Sequence, residues 1–232
     1  MLRTLSFHGA LVLFLMLGAA PAGAQGESRP SAKAETLMTA FRTNQSVDAK
    51  LRSLRSLERI RTPAVDDFLL AEYSKLDSSR PADAQVLGGI LRVWAGRPSR
   101  SVLPFLIYEG LFHDDTEVVR ASATAVTQLP EEARAVMSTG RARRGKDPAE
   151  SLAADLIERM GERAELLPAI EKILVMWSGK SRPGYKPQAN LKRAPDDKER
   201  AATLEFWKGW FDGRFKSKGD PAVAPSKPAI QP

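Results

Sequence analysis

The sequence contains no cysteine and only two histidines, His8 and His113. Without cysteine no disulfide can form, so packing alone must stabilise the fold. A Cys/His zinc site and a Cys/His catalytic pair are excluded as well. Because His8 falls in the leader described next, a Ser/His/Asp triad could use only His113.

Long apolar runs are also absent. The run at residues 10–20 is about eleven residues long, whereas a membrane-spanning helix needs about 20. Arg3 precedes the run, and Ala22 and Ala24 follow at the small-residue positions of a cleavage site. This pattern is typical of a secretory signal peptide. We therefore expect cleavage near Ala24 and a periplasmic or extracellular protein, with an uncleaved anchor as the alternative.

Most of the chain carries no net charge. Residues 25–177 contain 22 basic and 22 acidic residues, whereas residues 178–218 contain 11 basic and 5 acidic ones. Arginine forks and basic groups beside an aromatic ring can hold anionic groups. The candidate partner-binding or anion-binding residues are Arg141, Arg143, Arg144, Lys146, Lys180, Arg182, Tyr185, Lys186, Lys192 and Arg193.

Four aspartates recur at nearly regular spacing, 35, 32 and 32 residues apart. They are Asp48, Asp83, Asp115 and Asp147. A chain-breaking residue follows 14 or 15 positions later in each segment, namely Pro63, Pro98, Pro130 and Gly161. We interpret each segment as two helices joined by a turn, with the aspartate as the N-cap of the first helix.

The fold class follows from the apolar spacing. Leu51, Leu54 and Leu57 recur every three residues, as on one face of a helix, and strand-like alternation is absent. Since one helix pair cannot bury its apolar face alone, the pairs are expected to stack. The prediction is an all-α fold, an α-solenoid of about four antiparallel helix pairs, in which small residues such as Ala121, Ala123 and Ala125 allow close approach.

Two stretches resemble a known family. "SVLPFLIYEGLFHDD" (101–115) and "DTEVVRASATAV" (115–126) are similar to HEAT-type repeats, including the short bacterial form named after phycobilisome lyases. The matching positions are Asp115, Val118, Arg120, Ala121 and Ala123, with Val119 where an arginine often stands. The resemblance covers about residues 46–177 and is sharpest over 98–129. It implies a helical-repeat fold that presents a face to another macromolecule.

The end of the chain suggests a closing helix. Its aromatic residues are Phe206, Trp207, Trp210, Phe211 and Phe215. We expect this helix to cap the last repeat, with Gly209 and Gly213 at positions of close approach. Interfacial membrane binding is the alternative. The predicted organisation is a signal peptide (1–24), a linker (25–34), the repeat domain (35–177), a basic Gly/Pro-rich linker (178–195), the capping helix (196–216) and a disordered Pro-rich tail (217–232).

Carboxylate side chains are the remaining candidates for catalytic groups. An acidic row is predicted on the second helices of the pairs, formed by Asp66, Asp67, Glu72, Glu109, Glu131 and Glu132. Such a row could act in general acid/base chemistry, but it is also expected of a solvated solenoid face. His113, Asp114 and Asp115 could bind a metal, although helix capping explains the same residues.

These patterns favour an exported, monomeric scaffold or adaptor that binds a protein partner, with no cofactor and no catalytic role. One alternative is a peripheral envelope protein that binds anionic lipid or polymer through residues 178–218. Another is an enzyme of the HEAT-like lyase or glycosylase type. Nucleic acid is disfavoured as the partner because export would separate the protein from it.

Overall fold

The computed structural model of the protein describes residues 30–139, 147–185 and 195–216. Every regular element within these ranges is helical, which confirms the predicted all-α class. No helix there combines the length and apolarity needed to cross a bilayer. The predicted signal peptide, residues 25–29 of the predicted linker 25–34, and the Pro-rich tail lie outside the described residues.

The chain forms two compact units that divide after Val93. The first unit contains three complete helices and most of a fourth: α1 (Ala32–Thr43), α2 (Val47–Leu57), α3 (Pro63–Tyr73) and α4 (Pro81–Gly96). Its core includes Phe41, whose ring meets that of Phe68 edge-on at 5.6 Å. Leu54 and Leu57 of α2 are fully buried, as their spacing predicts.

The second unit begins with the last turn of α4. Its further helices are α5 (Leu103–Phe105), which continues as a π-helical turn (Leu106–Gly110), α6 (Thr116–Val126), α7 (Pro130–Thr139), α8 (Pro148–Glu162), α9 (Leu167–Ser178) and α10 (Asp197–Phe211). A 3₁₀ turn (Ala164–Leu166) joins α8 to α9, and a π-helical turn (Asp212–Lys216) follows α10. In chain order, the segments predicted as helix pairs contain α2 and α3, α4 and α5, α6 and α7, and α8 and α9.

Two of the four predicted aspartate caps are present. Asp115 Oδ1 accepts from the Glu117 amide at 2.8 Å, and Asp147 Oδ1 accepts from the Ala149 amide at 2.8 Å. The predictions for Asp48 and Asp83 are wrong, because these residues lie inside the first turns of α2 and α4. A carboxylate there still interacts favourably with the positive end of the helix.

One close contact between helical elements was not among those predicted. A Cβ atom on Gly110 would lie 2.2 Å from Ser122 Oγ, so α6 meets the π-helical turn without an intervening side chain. At Gly209 and Gly213 an added Cβ atom would have no neighbouring atom within 4 Å, and the prediction of these glycines as close-approach positions is wrong. Gly161 does not end its helix either, since α8 continues to Glu162.

Candidate functional site

The basic residues predicted from the sequence fall mainly outside the described ranges. This applies to Arg141, Arg143, Arg144, Lys146, Lys186, Lys192 and Arg193. The other three, Lys180, Arg182 and Tyr185, follow α9 directly. Lys180 is exposed, whereas Arg182 and Tyr185 are partly covered.

Arg182 forms two ion pairs within the chain. Its Nε donates to Glu171 Oε1 at 2.8 Å, and its Nη2 donates to Glu199 Oε1 at 2.9 Å. The Arg182 side chain is 13% exposed and that of Glu171 only 3%. Because Glu171 lies in α9 and Glu199 in α10, the guanidinium connects these two helices. The charge of Arg182 is therefore balanced inside the fold.

The environment of this ion pair is strongly desolvated. Burial raises the pKa of Glu171, while Arg182 and, to a smaller extent, Trp207 oppose the rise. Burial also raises the pKa of Tyr185, and the charge of Glu171 adds to the effect. Since a buried carboxylate is costly without a partner, Arg182 is what makes the Glu171 charge tolerable here.

A groove of about 600 Å³ lies between α8 and α10. Its less polar lining comprises Ala154, Ile157, Gly161, Leu204 and Phe211. Its charged lining comprises Glu158, Glu162, Lys208 and Asp212, all of which are exposed. This α8/α10 groove thus combines an apolar floor with a rim on which three of the four charges are negative.

Small residues on α8 leave room for the groove. Ala154 and Gly161 are seven residues apart and therefore share one helix face. Neither has a side chain beyond Cβ, and the Leu204 side chain lies 3.7 Å from where a Cβ on Gly161 would be. Arg200 Nη2 donates to the Gly161 carbonyl oxygen, which holds α10 against this end of α8.

The acidic turn before α6 has a structural role. Arg159 Nη2 donates to the His113 carbonyl at 2.6 Å, and Arg163 Nη1 donates to the Asp114 carbonyl at 2.9 Å. The Asp115 amide donates to His113 Nδ1 at 3.0 Å. Arg159 of α8 and Arg163, which directly follows α8, therefore clamp the turn that starts α6.

The predicted acidic row is partly occupied by internal ion pairs. Glu72 Oε1 accepts from Arg42 Nε and Lys75 Nζ, each at 2.8 Å, and Glu131 Oε1 accepts from Arg134 Nη1 at 2.5 Å. Burial acts to raise the pKa of Glu72, but the hydrogen bonds and charges of Lys75 and Arg42 outweigh it and lower the pKa. Among the described residues, no three acidic, histidine or cysteine side chains come together in a way that could hold a metal ion.

Sequence reasoning missed the α8/α10 groove. In the sequence Phe211 stands out only as part of an aromatic cluster, and Glu158 and Glu162 do not stand out at all. The four-residue spacing of these glutamates beside the small residues Ala154 and Gly161 is a usable signal. The contact between this face of α8 and Leu204 could not be inferred from the sequence, because it depends on how α10 docks.

Comparison of the chain with protein-family models, with curated proteins and with solved structures found no match. The resemblance of residues 98–129 to HEAT-type repeats therefore stays a sequence-based prediction. A functional proposal for this protein rests on its own helices, its ion pairs and the α8/α10 groove.

Proposed function

We propose that the protein is an exported, monomeric scaffold or adaptor built as an α-solenoid of HEAT-like helix pairs, and that it binds a partner protein through the α8/α10 groove. The observation that carries the proposal is the groove itself, an apolar floor bordered by exposed carboxylates. Concave apolar sites with a few polar groups at their edge are typical binding sites.

The connections between successive helix pairs support a repeat architecture. Arg159 in the first helix of the fourth pair, and Arg163 directly after that helix, both reach the turn that opens the third pair. α6 also packs against α9. Contacts of this kind join a pair to its neighbour, as expected for stacked repeats.

α10 has the features expected of a capping helix. Trp207 is fully buried, and the ring of Trp210 lies 6.4 Å from that of Trp177 in α9. In this proposal, α10 covers the apolar face that the last pair would otherwise expose. The same docking creates the α8/α10 groove, so capping and partner binding use one element.

The groove chemistry defines a class of partner. Ile157, Leu204 and Phe211 suit an apolar side chain, which would gain most of its binding free energy from desolvation. Glu158 and Glu162 would pair with a Lys or Arg next to that side chain. A peptide segment with neighbouring basic and apolar residues meets both requirements.

Binding of anionic lipid or polymer through residues 178–218 is the alternative function. It depends on basic side chains that are free to meet an outside anion. Arg182 already pairs with Glu171 and Glu199, which weakens that alternative at one of its predicted residues.

A groove-filling variant tests the proposal. Ala154→Phe places a large side chain in the groove, so we expect partner capture from envelope extract to fall at least about tenfold, equivalent to about 1.4 kcal/mol. The captured protein would be identified by mass spectrometry and its affinity measured again with purified components.

The matched control is Ala202→Phe, which adds the same side chain at an exposed position of α10 that does not line the groove. Circular dichroism and thermal unfolding of both variants would check that the fold is retained. Equal capture by wild type and a folded Ala154→Phe variant would refute the groove as the binding site.

A further inference from the structure

The α8/α10 groove is short. It extends from Ala154 to Glu162 along α8 and from Leu204 to Asp212 along α10. Both stretches rise by eight residues, and at about 1.5 Å per residue the groove is about 12 Å long. A polyproline II segment rises about 3.1 Å per residue. A segment of about four residues therefore fills the groove.

The rim of the groove is acidic. Glu158 and Glu162 are exposed and lie about one helical turn apart on α8. Within the described residues, neither of them forms an ion pair. Asp212 adds a third carboxylate, and Lys208 adds one positive charge. Three negative charges and one positive charge give the rim a net charge of −2, which favours a basic occupant.

The sequence beyond α10 contains a segment of matching composition. The π-helical turn Asp212–Lys216 starts at the groove, and residues 217–232 follow it. Among them, residues 227–230 have the sequence KPAI, in which a basic side chain stands next to apolar ones. A proline favours polyproline II before binding, so docking needs little further ordering. The other apolar run, residues 222–224, has no adjacent basic residue. We call residues 227–230 the KPAI segment.

The connection between α10 and the KPAI segment is long enough to reach the groove. Residues 217–226 separate Lys216 from Lys227. Ten residues span about 17 Å as a flexible chain and about 31 Å as polyproline II. The groove is about 12 Å long, and Asp212 at its lining lies four residues before Lys216. A tether that matches the required span gives an effective concentration in the millimolar range, so even a weak contact is substantially occupied.

We propose that the KPAI segment of this same chain occupies the α8/α10 groove, with the Lys227 ammonium at Glu158 and Glu162 and the Ile230 side chain on the apolar floor. The inference rests on the proposed function and adds its regulation, because a partner must displace the segment. If the effective concentration is about three times the dissociation constant of the contact, about three-quarters of the molecules have a filled groove. The apparent affinity for a partner is then about fourfold lower than for the empty groove.

The absence of cysteine permits a direct test in the full chain. Ser226→Cys introduces a single thiol next to the KPAI segment, and a nitroxide spin label is attached to it. The label broadens the NMR methyl signals of Ile157 and Leu204 when the segment lies in the groove. In the labelled chain, Lys227→Glu with Ile230→Ser removes the ion pair and the apolar contact, and this broadening is expected to fall at least about threefold.

The matched control is Lys218→Glu with Val223→Ser in the same labelled chain. It makes the same change of charge and a similar loss of apolar surface within residues 217–232, but outside the KPAI segment. Its broadening of Ile157 and Leu204 is expected to equal that of the labelled chain without these changes. Equal broadening in the two double variants would overturn the proposal, since the tether alone would then explain the proximity.

Competition is measured with a synthetic peptide of residues 225–232, titrated into unlabelled chains and followed by the same methyl signals. The Lys227→Glu/Ile230→Ser chain is expected to bind the peptide about fourfold more tightly than wild type, because its groove is empty. The Lys218→Glu/Val223→Ser chain should bind it as wild type does, and Ala154→Phe should bind it at least about tenfold more weakly.

Equal peptide affinity in wild type and the Lys227→Glu/Ile230→Ser chain would overturn the proposal. Broadening that increases with protein concentration would also overturn it, because the segment would then come from another copy of the chain. If the two double variants behave alike while Ala154→Phe loses its partner, the scaffold function stands and only this inference is removed. If the segment occupies the groove but Ala154→Phe captures a partner as wild type does, the intramolecular contact stands and the proposed partner site is removed.

Discussion

At the residue scale, the ion pair between Arg182 and Glu171 ties the segment after α9 to that helix. Both side chains are largely covered, and removing one partner of a buried pair leaves an uncompensated charge. We expect Arg182→Met to lower the free energy of unfolding by about 3 kcal/mol near neutral pH. Urea denaturation would measure the loss, with Lys180→Met as the exposed control.

The pH dependence of this variant has a defined sign. The pKa of Glu171 is raised in the folded protein, so the folded state binds a proton more readily than the unfolded state. Folding is therefore favoured as the pH falls towards that raised pKa and disfavoured as the pH rises through it. Without Arg182 the pKa of Glu171 rises further. The stability lost by Arg182→Met relative to wild type should therefore be smaller in mild acid than near neutral pH. If Arg182→Met loses the same stability near neutral pH and in mild acid, packing and not charge is responsible for the loss.

At the element scale, the contact between the π-helical turn and α6 permits a sharp test. In Gly110→Ala, the new Cβ would overlap Ser122 Oγ, and we expect a destabilisation of about 1–3 kcal/mol from overpacking. Gly209→Ala lies in α10 with open space around it, and it should stabilise the protein by about 0.5–1 kcal/mol.

Thermal and urea unfolding of these two glycine variants would be compared with wild type. The double variant Gly110→Ala/Ser122→Gly removes the overlapping atoms and should recover part of the loss. If Gly110→Ala is as stable as wild type, the two helices are not in the close contact described.

At the scale of the whole molecule, α10 is expected to stabilise the second unit only. A chain ending at Tyr185 loses the fully buried Trp207, and we expect the second unit to lose more than about 3 kcal/mol of stability. Hydrogen exchange would show faster exchange in α8 and α9, while residues 30–93 keep their protection. A chain ending at Lys216 is the control and should keep most of the protection of α8 and α9.

Fast exchange throughout residues 30–93 in the chain ending at Tyr185 would contradict this expectation. It would mean that the first unit, which forms its own compact set of contacts, depends on the second for its stability. Unchanged exchange in α8 and α9 would mean that α10 contributes little to the core.

Much of the helical layout could be predicted because it depends on local signals. Pro63 and Pro148 stand at the starts of α3 and α8, Asp115 and Asp147 cap their helices, and the Leu54–Leu57 spacing matches a buried face. Asp48 and Asp83 were wrongly predicted to be N-caps, because aspartate is also favourable within the first turn of a helix. Gly209 was wrongly predicted to be a position of close approach, because a glycine in a helix can also face open space.

The amino-acid sequence by itself determined the helical class, several of the helix boundaries and the absence of disulfides, since each depends on residue type and spacing. Only the tertiary structure decided that Arg182 is engaged by Glu171 and Glu199, that Gly110 meets Ser122, and that α8 and α10 enclose a groove. These features join residues far apart in the chain, and their geometry depends on how whole helices dock.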